Sequence, residues 1–400
     1  METMLQQALA LAPKVQAVIS ELLARNIGKE EMLRATFLSL VSSRPAFFLG
    51  SPGINKTGTV QDIARRIEGA IFYDALMPTI VSVEQLLVES TSIEELPTAN
   101  GGKAIRTRDE LGRAARAHIL FADEIWKAET RVLQTVLDLA KGDGVRHEGQ
   151  QTKTPLLAFI AASNELPEQD SGLGALWSRM TIRAVVGSLD TAGKKALVTA
   201  RRTRDRARVK GEADQSAKLT LAEVEALRQA RPFVEVPEEV IEQVLEIYQQ
   251  LLNQDAASFQ WLWDDDRRFG RIFDVLQAEA LLHGRTTVTK QDLNVLEFLL
   301  WDTPEQIGAV KAMLAPFVRT PASEARELFD ALMAPGGLVT EYMASRSEKA
   351  VDALKEVREC VTALDELASQ AGEDTEAVKA VLAETRDLAE RISLRFAGKL

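Results

Sequence analysis

One string limits what this chain can fold into. Phe47-Phe48-Leu49-Gly50-Ser51-Pro52-Gly53-Ile54-Asn55-Lys56-Thr57 is a short apolar run that enters a glycine-bearing loop and closes on Lys-Thr. An apolar strand that feeds a tight turn and then a helix can aim backbone N–H groups, and the positive end of the helix, at phosphate oxygens. In such a loop Gly50 and Gly53 allow close approach, Lys56 supplies a point charge for the β- and γ-phosphates, and the Thr57 hydroxyl ligates Mg²⁺. The nucleotide-contacting run is Ser51, Pro52, Gly53, Ile54, Asn55, Lys56, Thr57 and Gly58. Asn55 departs from the pattern G-x-x-x-x-G-K-[ST], which has glycine there, and asparagine is the side chain that best tolerates a positive φ.

Two further apolar segments follow in the order that a nucleotide-hydrolysing α/β core requires. His118-Ile119-Leu120-Phe121-Ala122-Asp123-Glu124 ends in adjacent carboxylates. In that arrangement Asp123 holds hydrated Mg²⁺ and Glu124 polarises the attacking water. Leu156-Leu157-Ala158-Phe159-Ile160-Ala161-Ala162-Ser163-Asn164 is a third buried strand, with a neutral amide at its end that can orient water or touch the γ-phosphate. Parallel strands with polar residues at their carboxyl ends build a crevice there, where ligands of open α/β sheets bind.

This ordered set resembles the AAA+ ATPases, within them the MoxR group, and most closely its RavA branch. Asp123-Glu124-Ile125-Trp126-Lys127-Ala128 is similar to that branch's Walker B region, with Trp-Lys where other MoxR proteins carry Asn-Arg. Ala161-Ala162-Ser163-Asn164-Glu165-Leu166-Pro167-Glu168 resembles its sensor-1 segment. The resemblance implies that Leu176-Trp177-Ser178-Arg179-Met180-Thr181-Ile182-Arg183 carries the arginine finger, Arg179, with Arg183 as a second interface cation. It implies sensor 2 in Asp266-Arg267-Arg268, with Arg267 preferred and Arg268 in reserve, and an adenine-side contact at Ile27-Gly28. It further implies ATP and Mg²⁺ as cofactors, with ATP held between the phosphate loop and a lid. The assembly expected from the resemblance is a hexameric homo-oligomeric ring that remodels or matures a protein client, often beside a von Willebrand factor A-domain partner. The likeness spans roughly residues 10 to 310.

The expected fold class is α/β: a parallel-sheet AAA+ P-loop core over 1–187, a polar basic linker or helix over 188–217, an all-α lid over 218–310, and a C-terminal helical hairpin or bundle over 311–400. Within the core, Val81 to Asp109 contains Pro97 and Gly101-Gly102 and has no clear period; the family places an insertion there. Gly142 to Gln150 reads as a turn or hairpin. Lys194, Lys195, Arg201, Arg202, Arg204, Arg206, Arg208 and Lys210 form a basic run without interleaved aromatics, which reads as a solvated face rather than a nucleic-acid site. His283-Gly284-Arg285 followed by Val288 to Asp292 resembles a helix–turn–helix step. In the tail, Leu354, Val357, Val361, Leu364 and Ala368, then Val378, Val381, Thr385, Leu388 and Ile392, follow heptad spacing around an interruption at Gly372 to Thr375, so two short helices fold back on each other. RavA proteins continue here into a bundle interrupted by a β-rich domain, for which this chain has no room.

Composition serves mainly to exclude. A net charge of −11 over 400 residues disfavours bulk attraction to nucleic acid or anionic membrane. The one cysteine, Cys360, excludes an intramolecular disulfide framework and reads as a packed thiol. No apolar run reaches the ~18 residues of a spanning helix, so no membrane insertion and a cytoplasmic location are expected. Trp261, Trp263 and Trp301 read as core or interdomain packing, and His118, His147 and His283 show no metal-ligand spacing. Two other function classes stay open: a nucleic-acid motor or loader, and a nucleotide-gated scaffold that barely hydrolyses because Asn55 has altered the loop.

Overall fold

The computed structural model describes residues 2–97, 103–141, 144–147, 150–168, 172–209, 216–319, 321–334, 336–345, 350–370 and 375–396. Two compact units divide it, Met1–Leu314 and Ala315–Leu400.

Five short apolar segments form the centre of the first unit: β1 (Ala46–Leu49), β2 (Phe72–Leu76), β3 (Ile119–Asp123), β4 (Ala158–Ser163) and β5 (Ile182–Val185). They pair in the order β5-β1-β4-β3-β2, every pair parallel. Such strands are covered on both faces, so β3 and β4 read as continuous runs of buried residues rather than as an alternation. Register levels their carboxyl ends: Leu49 lies opposite Ser163, and Asp123 opposite Ala162. The residues that follow β1, β3 and β4 therefore emerge together on one edge.

Helix α1 (Ala12–Arg25) buries Val15, Val18 and Leu22, one stripe at helical spacing. Helix α2 (Glu30–Ser42) is buried almost without break from Ala35 to Ser42, because it packs on β1, β4 and β5 on one side and on the lid on the other. Helix α3 (Lys56–Ala64) leaves the phosphate loop. The segment that lacked a period becomes a short helix, Val83–Leu87, capped by Ser82, and then an antiparallel pair, Val88–Pro97 with Lys103–Leu111. Residues 98–102, which include Gly101 and Gly102, lie outside the described residues. A second hairpin pairs Val145–His147 with Gln150–Thr152; Gly142, Asp143, Glu148 and Gly149 lie outside the described residues. The basic run is helix α4 (Thr191–Val209), while Lys210 lies outside the description.

The lid is helical and its starts are capped. Thr220 and Glu223 form a reciprocal capping box for Leu221–Ala230, and the side chains of Asp255 and Asp265 cap Ala256–Asp264 and α5 (Asp266–Leu282). Gly284, at φ +73°, turns the chain after α5 toward a 3-10 segment, Lys290–Phe298, where Arg285 pairs with buried Asp292. Trp301 is fully buried, as expected, whereas Trp263 is 46% exposed and contributes little to the core. His118 accepts a hydrogen bond from the backbone N–H of Ile71, a structural role. Among the described residues no helix is long and apolar enough to cross a membrane.

Where a helical hairpin or bundle was expected, the described residues of the second unit form a bundle of α6 (Pro321–Leu332), α7 (Leu338–Ser345), α8 (Ala350–Gln370) and α9 (Thr375–Phe396). The heptad positions Val357, Leu364, Val378, Leu388 and Ile392 are buried, and α6 and α7 cover the seam with Ala325, Phe329, Val339 and Tyr342. Cys360 is packed against Leu364 and Val378 in the same core. Of the interruption, 371–374 lie outside the described residues, and Thr375 already opens α9. Leu364→Ala should destabilise this unit by about 2–5 kcal/mol in denaturant unfolding, whereas Val351→Ala, at an exposed position on the same helix, should change it by less than about 0.5 kcal/mol.

Candidate functional site

The phosphate loop owes its shape to three residues. Gly53 has φ +82°, and Asn55 takes the left-handed conformation at φ 66°, ψ 36°, the conformation glycine would supply. A Cβ on Gly50 would lie 2.5 Å from the Val186 carbonyl oxygen, so the strand end and the β5 exit can approach only without a side chain there. The Asn55 amide lies over Gly58, where a Cβ would come within 2.2 Å of its oxygen.

Lys56 begins α3 and is nearly buried. Its ammonium donates to the carbonyl of Gly50 at 2.6 Å, to that of Ser51 at 3.3 Å and to Asn164 Oδ1 at 3.0 Å. Burial pulls its pKa down, and the carboxylates of Asp123 and Glu124 oppose that pull. Asn164 donates through Nδ2 to Glu124 Oε1 at 2.5 Å. Glu124 sits at φ 53°, a left-handed bend that turns its side chain out of the strand line, and its Oε2 faces Lys127 Nζ at 3.0 Å. A continuous polar chain therefore runs from Gly50 through Lys56, Asn164 and Glu124 to Lys127. Glu165, 3.8 Å from Lys127, flanks it.

Two cavities adjoin this chain. One of about 240 Å³ is lined by Pro52 to Gly58 with Asp123, Glu124 and Asn164. Thr57 and Asp123 thus offer two hard oxygen donors on one wall, a set that fits a Mg²⁺ ion whose other positions go to water and phosphate. The other, about 270 Å³, is walled by Arg25 to Ile27, Lys29, Gly53 to Asn55, Ser188, Leu189, Lys194 and Leu197. The two share Gly53, Ile54 and Asn55. Ile27 therefore lines the second cavity, and Gly28 shapes it: at φ +65°, a Cβ there would strike Leu189 at 2.3 Å.

Three expectations change. No residue of 218–310 lines either cavity; beside Ile27 the second cavity is lined from the β5 exit and α4, in the segment read as a linker or helix. Arg183 is not an interface cation, because it is 0% exposed: it donates to the carbonyls of Trp177, Met180 and Trp301, pairs with Asp302 at 2.9 Å and lies over the Trp177 ring at 3.7 Å. Arg268, the reserve for sensor 2, is likewise buried, bonded to the Leu299 carbonyl and stacked 4.4 Å from Trp261, and burial lowers its pKa to about 10. Burial decides these two, and one-dimensional spacing does not report it.

Arg179 and Arg267 remain accessible, and neither lines the chain's own phosphate cavity. Arg179 donates to the Ala175 carbonyl. Arg271, one turn beyond Arg267, donates to the Ser178 carbonyl at 3.3 Å, and its pKa is lowered by burial, then by Arg44, with Arg179 and Arg267 adding and Asp265 opposing. Arg179 and Arg267 therefore both act on Arg271. Arg271 was missed in the sequence, where its four-residue offset from Arg267 was the available signal. Lys127 and Lys194 were also missed as members of the site.

Comparison with known proteins agrees with this geometry. Residues 13–229 match the family described as the MoxR domain in the MoxR-vWA-beta-propeller ternary systems, and residues 239–314 match an AAA lid domain. Two uncharacterised proteins of Methanocaldococcus jannaschii are similar, one 26% identical over 303 residues (75% of this chain, 73% of the relative) and one 24% identical over 329 residues (80% of each). A structural protein of Acidianus two-tailed virus is 25% identical over 178 residues, 44% of this chain and 28% of that protein. Among solved structures, a candidate ATPase from Cytophaga hutchinsonii shares the fold with a TM-score of 0.55 at 14% identity, over 78% of this chain and 96% of that one.

The burial contrast among the arginines is measurable. Arg183→Ala should cost about 3–5 kcal/mol in urea unfolding, because it strips its partners in a closed interior, whereas Arg267→Ala at the surface should shift stability by less than about 0.5 kcal/mol.

Proposed function

The chain belongs to the MoxR domain family of the MoxR-vWA-beta-propeller ternary systems, and from that premise we propose that it is a Mg²⁺-dependent ATPase that works as a ring. The observation that carries this reading is the polar chain Lys56–Asn164–Glu124 beside Thr57 and Asp123 in one cavity. On ATP binding, Lys56 exchanges the carbonyls of Gly50 and Ser51 for β- and γ-phosphate oxygens. Asn164 then turns from Lys56 toward the γ-phosphate and the water, and Glu124 accepts the water's proton as the water oxygen bonds to the γ-phosphorus and the bond from that phosphorus to the β,γ-bridging oxygen breaks, which releases ADP and phosphate. A bound Mg²⁺, held by the Thr57 hydroxyl and by Asp123 through water, would neutralise charge on the phosphates.

Arg179 is accessible but absent from its own phosphate cavity, which supports a role at a neighbouring subunit's site. Arg267, which like Arg179 acts on Arg271, is the proposed lid cation of that face. Hydrolysis on this reading needs a homo-oligomer, for which a hexameric ring is proposed. The strings Asp123 to Ala128 and Ala161 to Glu168 support a place near the RavA branch. A vWA-domain protein is the proposed partner, since the family is named for systems that contain one, and remodelling of a protein client is the proposed output.

Glu124→Gln should retain ATP and lose turnover, while Asp123→Ala should also weaken Mg²⁺-dependent binding. Near wild-type hydrolysis by the Glu124→Gln protein would remove Glu124 from the catalytic role. Arg179→Ala should lower kcat by about 10³–10⁵, and mixing Arg179→Ala with Glu124→Gln chains should restore measurable hydrolysis. Mixed rings that stay inactive would exclude an Arg179 acting between subunits.

A further inference from the structure

Lys29 follows the left-handed turn at Gly28 and stands at the start of α2. It is 7% exposed, yet its ammonium has no carboxylate partner among the described residues. Its one recorded bond is to the Gly187 carbonyl at 3.1 Å, so two of its three donors remain for something else. Arg25, another cation on the same cavity wall, is matched by Asp62 at 2.9 Å. An ammonium at a cavity wall with two donors unused is placed to bind an anion that enters the cavity. Burial and the nearby Lys56 both push its pKa down, with Glu30 opposing; Lys29 therefore lies within the field of the phosphate lysine while lining the other cavity.

We infer that Lys29 binds the α-phosphate of the nucleoside triphosphate, an inference that rests on the ATP site proposed above. A nucleotide whose terminal phosphates meet Lys56 and whose base enters the second cavity must cross the wall the cavities share, Gly53 to Asn55. The phosphate nearest the base is the α-phosphate. In the rest of the second cavity Ile27, Ile54, Leu189 and Leu197 supply apolar surface for the flat faces of a base, beside the polar side chains of Asn26, Ser188 and Lys194. An ammonium directed at the base would instead favour the O6 and N7 acceptors of guanine. Lys29 thus extends the cationic run that starts at Lys56, and the two lysines are relieved of mutual repulsion when phosphate arrives between them.

The test is a competition titration of ATP, ADP, AMP and adenosine on the full chain, comparing wild type with Lys29→Met and Lys56→Met. Lys29→Met should weaken ATP, ADP and AMP each by about ten- to a hundredfold and leave adenosine unchanged. Lys56→Met should weaken ATP and ADP while sparing AMP. Lys29→Gln, which keeps a donor without charge, should fall between and serves if the methionine variant does not fold. Unchanged AMP affinity in a folded Lys29 variant that still binds ATP would overturn the assignment, as would an equal loss for adenosine, which would make Lys29 a shaper of the cavity wall. A wild-type chain that binds none of the four ligands would overturn the ATP site itself, and Lys29's role with it.

Discussion

The register of three parallel strands governs everything at this site. Leu49 opposite Ser163 and Ala162 opposite Asp123 mean that a loop, an acid pair and an amide, drawn from a stretch in which Lys56 and Asn164 are 108 residues apart, arrive at one level. A slip of one residue in β4 would turn Asn164 to the other face of the sheet and open the polar chain between Lys56 and Glu124. The apolar runs that hold this register are buried on both faces, so core packing and site geometry are one requirement.

The parts visible in the sequence were those encoded by a strand and its immediate turn. Asp123, Glu124 and Asn164 close an apolar run directly, Lys56 and Thr57 come one short loop after another, and the structure gathers all five around one cavity. Even the tolerance of Asn55 for positive φ was legible, because that preference belongs to the residue itself. The second cavity was much harder to see. Ile27 was found by likeness, but Ser188, Leu189, Lys194 and Leu197 join it only because α4 folds back from the β5 exit, and a polar helix carries no local sign of what it faces. The insertion at 88–111 was illegible for a related reason: a two-stranded hairpin lacks the long apolar runs of the central sheet.

The arginines show the same limit from the opposite side. Arg179 and Arg183 are four apart, as are Arg267 and Arg271, and Arg267 and Arg268 are neighbours, so spacing treats them alike. The interior separates them. Arg183 lies over the Trp177 ring and Arg268 over the Trp261 ring, and both bond to backbone carbonyls; the bond from Arg183 to the Trp301 carbonyl ties the lid to β5. Arg179 and Arg267 stay accessible, and both add positive charge around Arg271.

Asn55 and Gly58 make a single unit of the phosphate loop. With the amide of residue 55 occupying the space of a β-carbon at residue 58, neither position can drift alone. A lineage that regained glycine at 55 would release 58 from its restriction, while one that first gained a side chain at 58 would have to displace the amide. The two sites should therefore covary among sequences of this type, and the unfolded chain, one glycine poorer at 55, gives up less backbone freedom when the loop closes.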